Sequence, residues 1–194
     1  MTIAKLLQSA TAANHLSDSP ELDCELLLCF VLGVAPSYLK TWPERQVSDD
    51  HREQFDGLLQ RRVAGQPVAY LIGSQGFWSL DLEVSPATLI PRPETELLVE
   101  AALELSLPEQ ASVLDLGTGT GAIALALATE RSDWKVSAVD LQQQAVDLAE
   151  RNRQRYKLNN VTLFASDWFA AIPPQRFDLI VSNPPYIEAN DPHL

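Results

Sequence analysis

The stretch Ser112-Val113-Leu114-Asp115-Leu116-Gly117-Thr118-Gly119-Thr120-Gly121-Ala122 constrains this chain more than any other. A short apolar strand delivers an acid, then three glycines in alternate positions, and an alanine-rich helical run follows through Glu130. Glycine takes positive φ without a steric penalty and lets a ligand approach the backbone. The helix opening behind it offers unsatisfied N–H groups. The flanking segments alternate in period. Pro93 opens a helix carrying Leu97, Leu98, Ala101, Ala102 and Leu105. Helices follow over Ala122–Glu130 and Gln142–Lys157, and strands over Lys135–Val139, Val161–Phe164 and Phe177–Val181. Strands alternating with helices predict a parallel α/β sheet covered on both faces.

The first third reads differently. MTIAKLLQSATAANHL lacks the continuous apolar core of a signal peptide, and its Leu and Ile positions recur at helical spacing. Ser19-Pro20 is a cap with proline at the first helical position, and Leu22, Leu26, Cys29 and Phe30 follow at helical spacing up to Gly33. Another helix starts near Ser48, places Phe55, Leu58, Leu59 and Val63 on its apolar side, and stops at Gly65. Residues 73–92 carry a period-two run, Leu80, Leu82 and Val84, and a second short run at Thr88–Ile90. These two runs predict a small hairpin joining the halves. The expected organisation is a helical domain over 1–72, a hairpin linker over 73–92 and a nucleotide-binding domain over 93–194.

The spacing of the glycines selects the ligand. A dinucleotide fingerprint reads G-x-G-x-x-G, whereas here it is G-x-G-x-G, and no phosphate-binding G-x-x-x-x-G-K-S/T is present. A glycine loop without pyrophosphate spacing suits a cofactor with no phosphate, such as S-adenosylmethionine, with Asp115 near its cationic methionine end. Asp140 lies nineteen residues beyond Gly121 at the next strand end, where an acid accepts from ribose hydroxyls. Asp167-Trp168 follows the strand after that. A carboxylate can accept from an adenine amino group and an indole can stack on the ring. A solvated Asp beside a core Trp would read the same way. Val181-Ser182-Asn183-Pro184-Pro185-Tyr186-Ile187 ends the last strand abruptly, either as a simple Pro-Pro stop or as a site.

Composition removes several classes. A net charge of −12 argues against gripping nucleic acid through phosphates, which needs a dense basic footprint. The one basic run, Arg151 to Lys157, reads as the solvated face of a helix. Cys24 and Cys29 sit five apart on a helix and read as buried thiols in a reducing compartment. His15, His51 and His193 are scattered, so no metal site is expected. No apolar run approaches the roughly 18 residues of a membrane span, and a cytoplasmic monomer is the expectation.

DLGTGTG, the acid at the next strand end and NPPY after the fourth strand, taken in order, resemble the class I methyltransferases that modify planar nitrogen. Leu89-Ile90-Pro91-Arg92-Pro93-Glu94-Thr95-Glu96 and the N-terminal helices make the chain similar to the PrmC/HemK family, the release factor glutamine methyltransferases. The resemblance implies a Rossmann-like core preceded by a small helical domain that recognises the substrate. It implies methyl transfer from S-adenosylmethionine, leaving S-adenosylhomocysteine, to N5 of the glutamine in the Gly-Gly-Gln motif of bacterial release factors. It further implies that Gly117, Thr118, Gly119, Thr120 and Gly121 hold the methionine and ribose portions of the cofactor. Asp140 takes the ribose, and Asp167 and Trp168 the adenine side. Asn183, Pro184, Pro185 and Tyr186 hold the glutamine, with Asn183 also near the cofactor and Asn183, Pro184 and Tyr186 as the catalytic set. Arg92–Glu96 covers the cofactor without assigned chemistry. NPPY also occurs in methyltransferases of adenine and guanine amino groups, so a nucleic-acid substrate is the rival expectation. The fold usually has seven strands and the chain ends after the fourth, so a truncated product that binds cofactor without turnover is a further one.

Overall fold

The computed structural model describes residues 1–14 and 17–184. The chain forms two compact units, Met1–Gly73 and Ser74–Leu194.

The first unit is helical: α1 (Ile3–Ala13), α2 (Pro20–Leu32), α3 (Pro36–Thr41), α4 (Asp49–Val63) and α5 (Val68–Ile72). Local chemistry sets the ends. The Thr2 and Ser48 hydroxyls accept from the amides of Lys5 and His51. Pro20 sits in the first turn of α2, and Gly33 closes it at φ 63°. The buried side of α2 is Cys24, Leu27, Leu28 and Cys29. Leu22 and Phe30, two of the residues at helical spacing, are each 53% exposed, and Val63, expected on the apolar side of α4, is exposed as well. Helix α2 is apolar on nearly every face, so helical spacing alone could not select the side that packs. The core closes over Leu6, Leu27, Leu28, Leu39 and Phe55.

One polar cluster ties this unit together. Asp23 is buried and accepts from Arg62 Nε (2.7 Å), Ser17 Oγ (2.6 Å) and Asn14 Nδ2 (3.2 Å), joining α2, α4 and the end of α1. Burial pushes the Asp23 carboxyl up, but those hydrogen bonds and the Arg62 charge outweigh it and hold the group below its ordinary value.

The second unit contains the hairpin β1 (Ser74–Phe77) and β2 (Leu80–Glu83), helix α6 (Glu96–Glu104), and then β3 (Ser112–Leu116), α7 (Ala122–Glu130), β4 (Lys135–Asp140), α8 (Gln143–Tyr156), β5 (Val161–Ala165) and β6 (Leu179–Ser182). The hairpin is not the expected one. Leu80–Glu83 pairs backwards with Ser74–Phe77 through a two-residue turn, and Thr88–Ile90 forms no strand. Pro86, Pro91 and Pro93 flank that segment and remove ladder donors. The turn places Trp78 at φ 57°, unusual for a residue with a side chain. Two acids hold it there: Glu96 accepts from the Trp78 amide (2.8 Å) and Glu130 from its indole (2.7 Å).

Strands β3 to β6 form a parallel sheet in the order β5-β4-β3-β6. The last strand begins at Leu179 rather than Phe177; just before it, Asp178 brackets Ser112, its amide donating to the Ser112 carbonyl (2.8 Å) and its carboxylate accepting from the Ser112 amide (2.8 Å). Helix α7 is buried along Ala122–Ala128, and its small residues bring it close to the sheet. Alternating alanines leave room for Leu125 and Leu127 to enter a core with Val113, Val136 and Val161.

The Asp23 cluster generates a test. Arg62→Ala leaves a buried carboxylate without its counter-charge. It should lower the unfolding free energy of the helical unit by about 3 kcal/mol near neutral pH. The loss should shrink as pH falls below the ordinary carboxylate range, since a depressed pKa stabilises only above it. Urea titrations of both proteins at two pH values check this.

Candidate active site

The sheet register assembles the site. Leu116 pairs with Val139 on one side and Ser182 on the other, so these three residues form one row across β4, β3 and β6. The next residue of each strand is Asp140, Gly117 and Asn183. Three segments widely separated in sequence are thereby delivered to one level of the C-terminal edge. Strand β3 is also where the chain reverses direction across the sheet, with β4 on one flank and β6 on the other. Ligands of open α/β sheets bind at such switch points.

The glycine loop is held from below. The amides of Gly117 and Thr118 both donate to the Val139 carbonyl at 2.9 Å, and the Gly121 amide closes back on the Thr118 carbonyl. Gly117, Gly119 and Gly121 all have positive φ. Gly121 is needed for space too, since a Cβ there would lie 3.0 Å from Leu125 Cδ1 and 3.2 Å from Ala149 Cβ. A Cβ on Gly119 would meet only Thr88 Cβ, at 4.0 Å, so the outer side of the loop is open. The Thr118 and Thr120 side chains are buried, which limits these residues to offering backbone groups outward.

Beneath the loop lies Asp115, with 0% of its surface exposed. Its Oδ2 accepts from the Thr118 hydroxyl at 2.7 Å, while Oδ1 is buried without a hydrogen-bond partner among the described residues. Burial lifts its pKa from 3.8 to about 6. Thr118 and a weaker attraction from the Ala124 amide pull it down, and the nearby Asp140 charge adds to the rise. Asp140 is half-buried at the end of β4. One oxygen accepts from the Gly119 amide (2.9 Å) and the other from the Gln142 amide (3.0 Å).

Asp167 and Trp168 follow β5 in an exposed turn. Trp168 has φ 47° and is 55% exposed. Buried Ser166 shapes this turn, donating to the Trp168 carbonyl (2.8 Å) and accepting from the Ala171 amide (3.0 Å). Leu141, directly after Asp140, and Phe169 are also exposed apolar side chains at strand ends, and sequence reasoning passed over both.

Asn183 and Pro184 are half-buried beyond β6. The Ser182 hydroxyl donates to the Leu116 carbonyl (2.8 Å) and locks the strand end onto β3. The Asn183 side-chain amide donates from Nδ2 to Thr95 Oγ1 at 2.9 Å. Pro185 and Tyr186 lie outside the described residues. Within Arg92–Glu96, therefore, Thr95 contacts the amide at the site and Glu96 secures the hairpin turn.

Asn152 was missed. It is fully buried, exchanges hydrogen bonds with the Glu83 backbone (2.7 and 3.0 Å) and donates to the Thr120 carbonyl (3.0 Å), joining hairpin, helix and glycine loop. The arginines of the basic run around it are paired: Arg151 with Glu83, Arg153 with Glu150 and Arg155 with Asp81. Among the described residues, no His, Cys, Asp and Glu cluster is placed to hold a metal, and no helix is long and apolar enough to cross a membrane.

A parallel sheet with this glycine loop and an acid at the next strand end defines a class I methyltransferase core. Residues 93–193 match the methyltransferase small domain, and residues 5–73 match the PrmC N-terminal domain. A release factor glutamine methyltransferase of Pseudomonas aeruginosa is 58% identical, over 100% of this chain and 69% of its own length. Proteins of the same name from Aliivibrio fischeri and Escherichia coli are 53% and 52% identical, over 99% and 97% of this chain and 67% and 68% of theirs. The chain belongs to the release factor glutamine methyltransferase family.

Asp115 generates a pH prediction. A carboxyl whose folded pKa is raised stabilises the fold below its ordinary value, and that contribution is lost as pH rises from about 4 to about 6. Asp115→Asn does not titrate. Its unfolding free energy relative to wild type should therefore increase by on the order of 2 to 3 kcal/mol between about pH 4 and pH 7.5. Denaturant melts of the ligand-free proteins across that range decide it, and a constant difference would contradict it.

Proposed function

We propose that this chain transfers the methyl group of S-adenosylmethionine to the side-chain amide nitrogen, N5, of the glutamine in the Gly-Gly-Gln motif of bacterial release factors. The observation that carries the reading is the single register row. It brings Asp140, the glycine loop and Asn183 to one edge of a sheet whose sequence belongs to this family throughout.

The residues present fit that cofactor. Asp115 keeps a buried carboxylate oxygen without a hydrogen-bond partner among the described residues, so a cationic ligand above the loop relieves rather than worsens its burial. The open outer side of Gly117 and Gly119 admits a ligand against the backbone. Asp140 offers carboxylate oxygens to ribose hydroxyls, and Leu141, Asp167 and Trp168 offer an apolar and acceptor surface for adenine. When bound, the cofactor supplies a methyl group already activated by a sulfonium.

The protein's task is then alignment. An amide nitrogen is a poor nucleophile because its lone pair is delocalised, and no ordinary side chain removes its proton near pH 7. Two acceptors, the Asn183 side-chain oxygen and the Pro184 backbone carbonyl, can take the two N–H bonds of the substrate amide. They fix its plane and favour a pyramidal nitrogen whose lone pair faces the methyl carbon. Proline suits the second position because its φ is fixed and it has no N–H of its own. Tyr186, outside the described residues, would pack its ring on the planar amide. Held in this way, oriented reactants gain on the order of 7–11 kcal/mol in effective concentration. With the methyl donor held by the glycine loop and Asp140, the substrate nitrogen aligned by Asn183 and Pro184 would take the methyl group as the sulfonium leaves as a thioether, and would then give up one proton. The helical unit supplies a surface for the protein substrate.

A nucleic-acid substrate has no comparable support, since the arginines of α8 are taken up by Asp81, Glu83 and Glu150. Labelled methyl transfer should appear with release factor and not with DNA or ribosomal RNA. Cofactor binding with no transfer to any of the three would reduce the chain to a binding fragment. Asn183→Ala should cut turnover by on the order of 100-fold or more while cofactor affinity changes by only a few-fold. Near-normal turnover in that variant would sink the mechanism.

A further inference from the structure

We propose that Thr95 is a positioning residue for the reaction, holding the Asn183 amide with its oxygen end toward the substrate. This inference rests on the function proposed above. An asparagine side chain has two ends that differ in chemistry and hardly at all in shape. Only the oxygen can accept from a substrate NH₂ group. A half-turn about the terminal torsion presents a donor to a donor instead. That torsion is broad and roughly two-fold in its preferences, so nothing intrinsic to asparagine selects the productive end. Packing selects poorly as well, because the two ends are nearly isosteric.

Thr95 anchors one of these two arrangements by a hydrogen bond. Its Oγ1 takes the Asn183 Nδ2 at 2.9 Å across a sequence separation of 88 residues. With the nitrogen end directed at α6, the oxygen end turns away from it. The hydroxyl is itself well fixed. Thr95 closes a short 3₁₀ turn opened by Pro93, and its amide donates to the Arg92 carbonyl at 3.0 Å. Threonine is β-branched, which restricts its first torsion. Its neighbour Glu96 is anchored to the strained Trp78 turn at 2.8 Å. On the other side, Ser182 fixes the Asn183 backbone to β3 at 2.8 Å. Both ends of the Thr95–Asn183 contact are therefore built on supported backbone.

The test compares Thr95→Val, which keeps the shape and removes the hydroxyl, with Thr95→Ser, which keeps the hydroxyl. With release factor as substrate, Val should lower kcat by about 10- to 100-fold, with KM for release factor and Kd for cofactor within about 2-fold of wild type. Ser should recover most of the loss. A valine variant with wild-type kcat overturns the proposal, and so does a serine variant as impaired as valine, since the methyl contact would then matter rather than the hydroxyl. A second measurement needs no turnover. The Asn183 side-chain NH₂ resonances, assigned by their loss in Asn183→Ala, should shift and lose exchange protection in Thr95→Val and not in Thr95→Ser. Unchanged resonances in Thr95→Val overturn the proposal even if activity falls. If wild type methylates no release factor, the function proposed above fails, and the resonances still report whether Thr95 holds the amide.

Discussion

The parallel register of β4, β3 and β6 is the constraint on which the rest of the site depends. With Val139, Leu116 and Ser182 in one row, the following residues share a level, and each is then secured by its neighbours. The glycine loop hangs from the Val139 carbonyl, Asp140 accepts from the loop at Gly119, and Ser182 bonds to Leu116. A slip of one residue in β6 would turn its inward side chains to the opposite face and carry Asn183 out of reach of Thr95. Burial of Val113, Leu114 and Val181 opposes that slip, so hydrophobic packing low in the sheet sets polar geometry at its rim.

The same sheet carries its least favourable group directly under the loop. Asp115 is fully buried, lies near the charge of Asp140, and among the described residues has a hydroxyl and an amide to help it. A stability-optimised core would place an apolar residue here. Local rules broken in this manner cluster where a protein handles ligands, because the fold elsewhere is strong enough to sustain them. Asn152 shows the contrast. It is equally buried, yet its polar atoms are satisfied by Glu83 and Thr120, and it serves to lock the hairpin to the loop.

Much of this was legible in the sequence, and unevenly so. Strand β3 and helix α7 have the expected limits to the residue, because glycines and charges punctuate them. Asp140 stands at a strand end as its spacing implied. Legibility failed where the deciding contacts are long-range or where a pattern is degenerate. Helix α2 is apolar all round, so its packed face depends on partners that periodicity does not contain. The hairpin was misplaced because the partner of Leu80–Glu83 is a weakly patterned SQGF strand preceding it, whereas Thr88–Ile90 looked the better strand. Asn152 was hidden inside a basic run. Thr95 and Glu96 were noticed as a motif, but their contacts, Asn183 and Trp78, lie 88 and 18 residues away.

That last failure has a physical cause specific to amide clamps. A backbone carbonyl such as that of Pro184 is oriented by its own chain, so a contiguous motif specifies it completely. A side-chain amide is not. It needs a second residue to hold its side-chain torsions, and that residue must approach from outside the strand end. In a parallel sheet the space beside such an end is filled by the start of a helix from elsewhere in the chain, here α6. The N-terminal turn of a helix is also where threonine is readily accommodated, since its hydroxyl need not compete with an interior hydrogen-bonded turn. The asparagine of the clamp therefore requires support that its own motif cannot encode. The threonine at the head of α6, brought beside it by the packing of the sheet, meets that requirement.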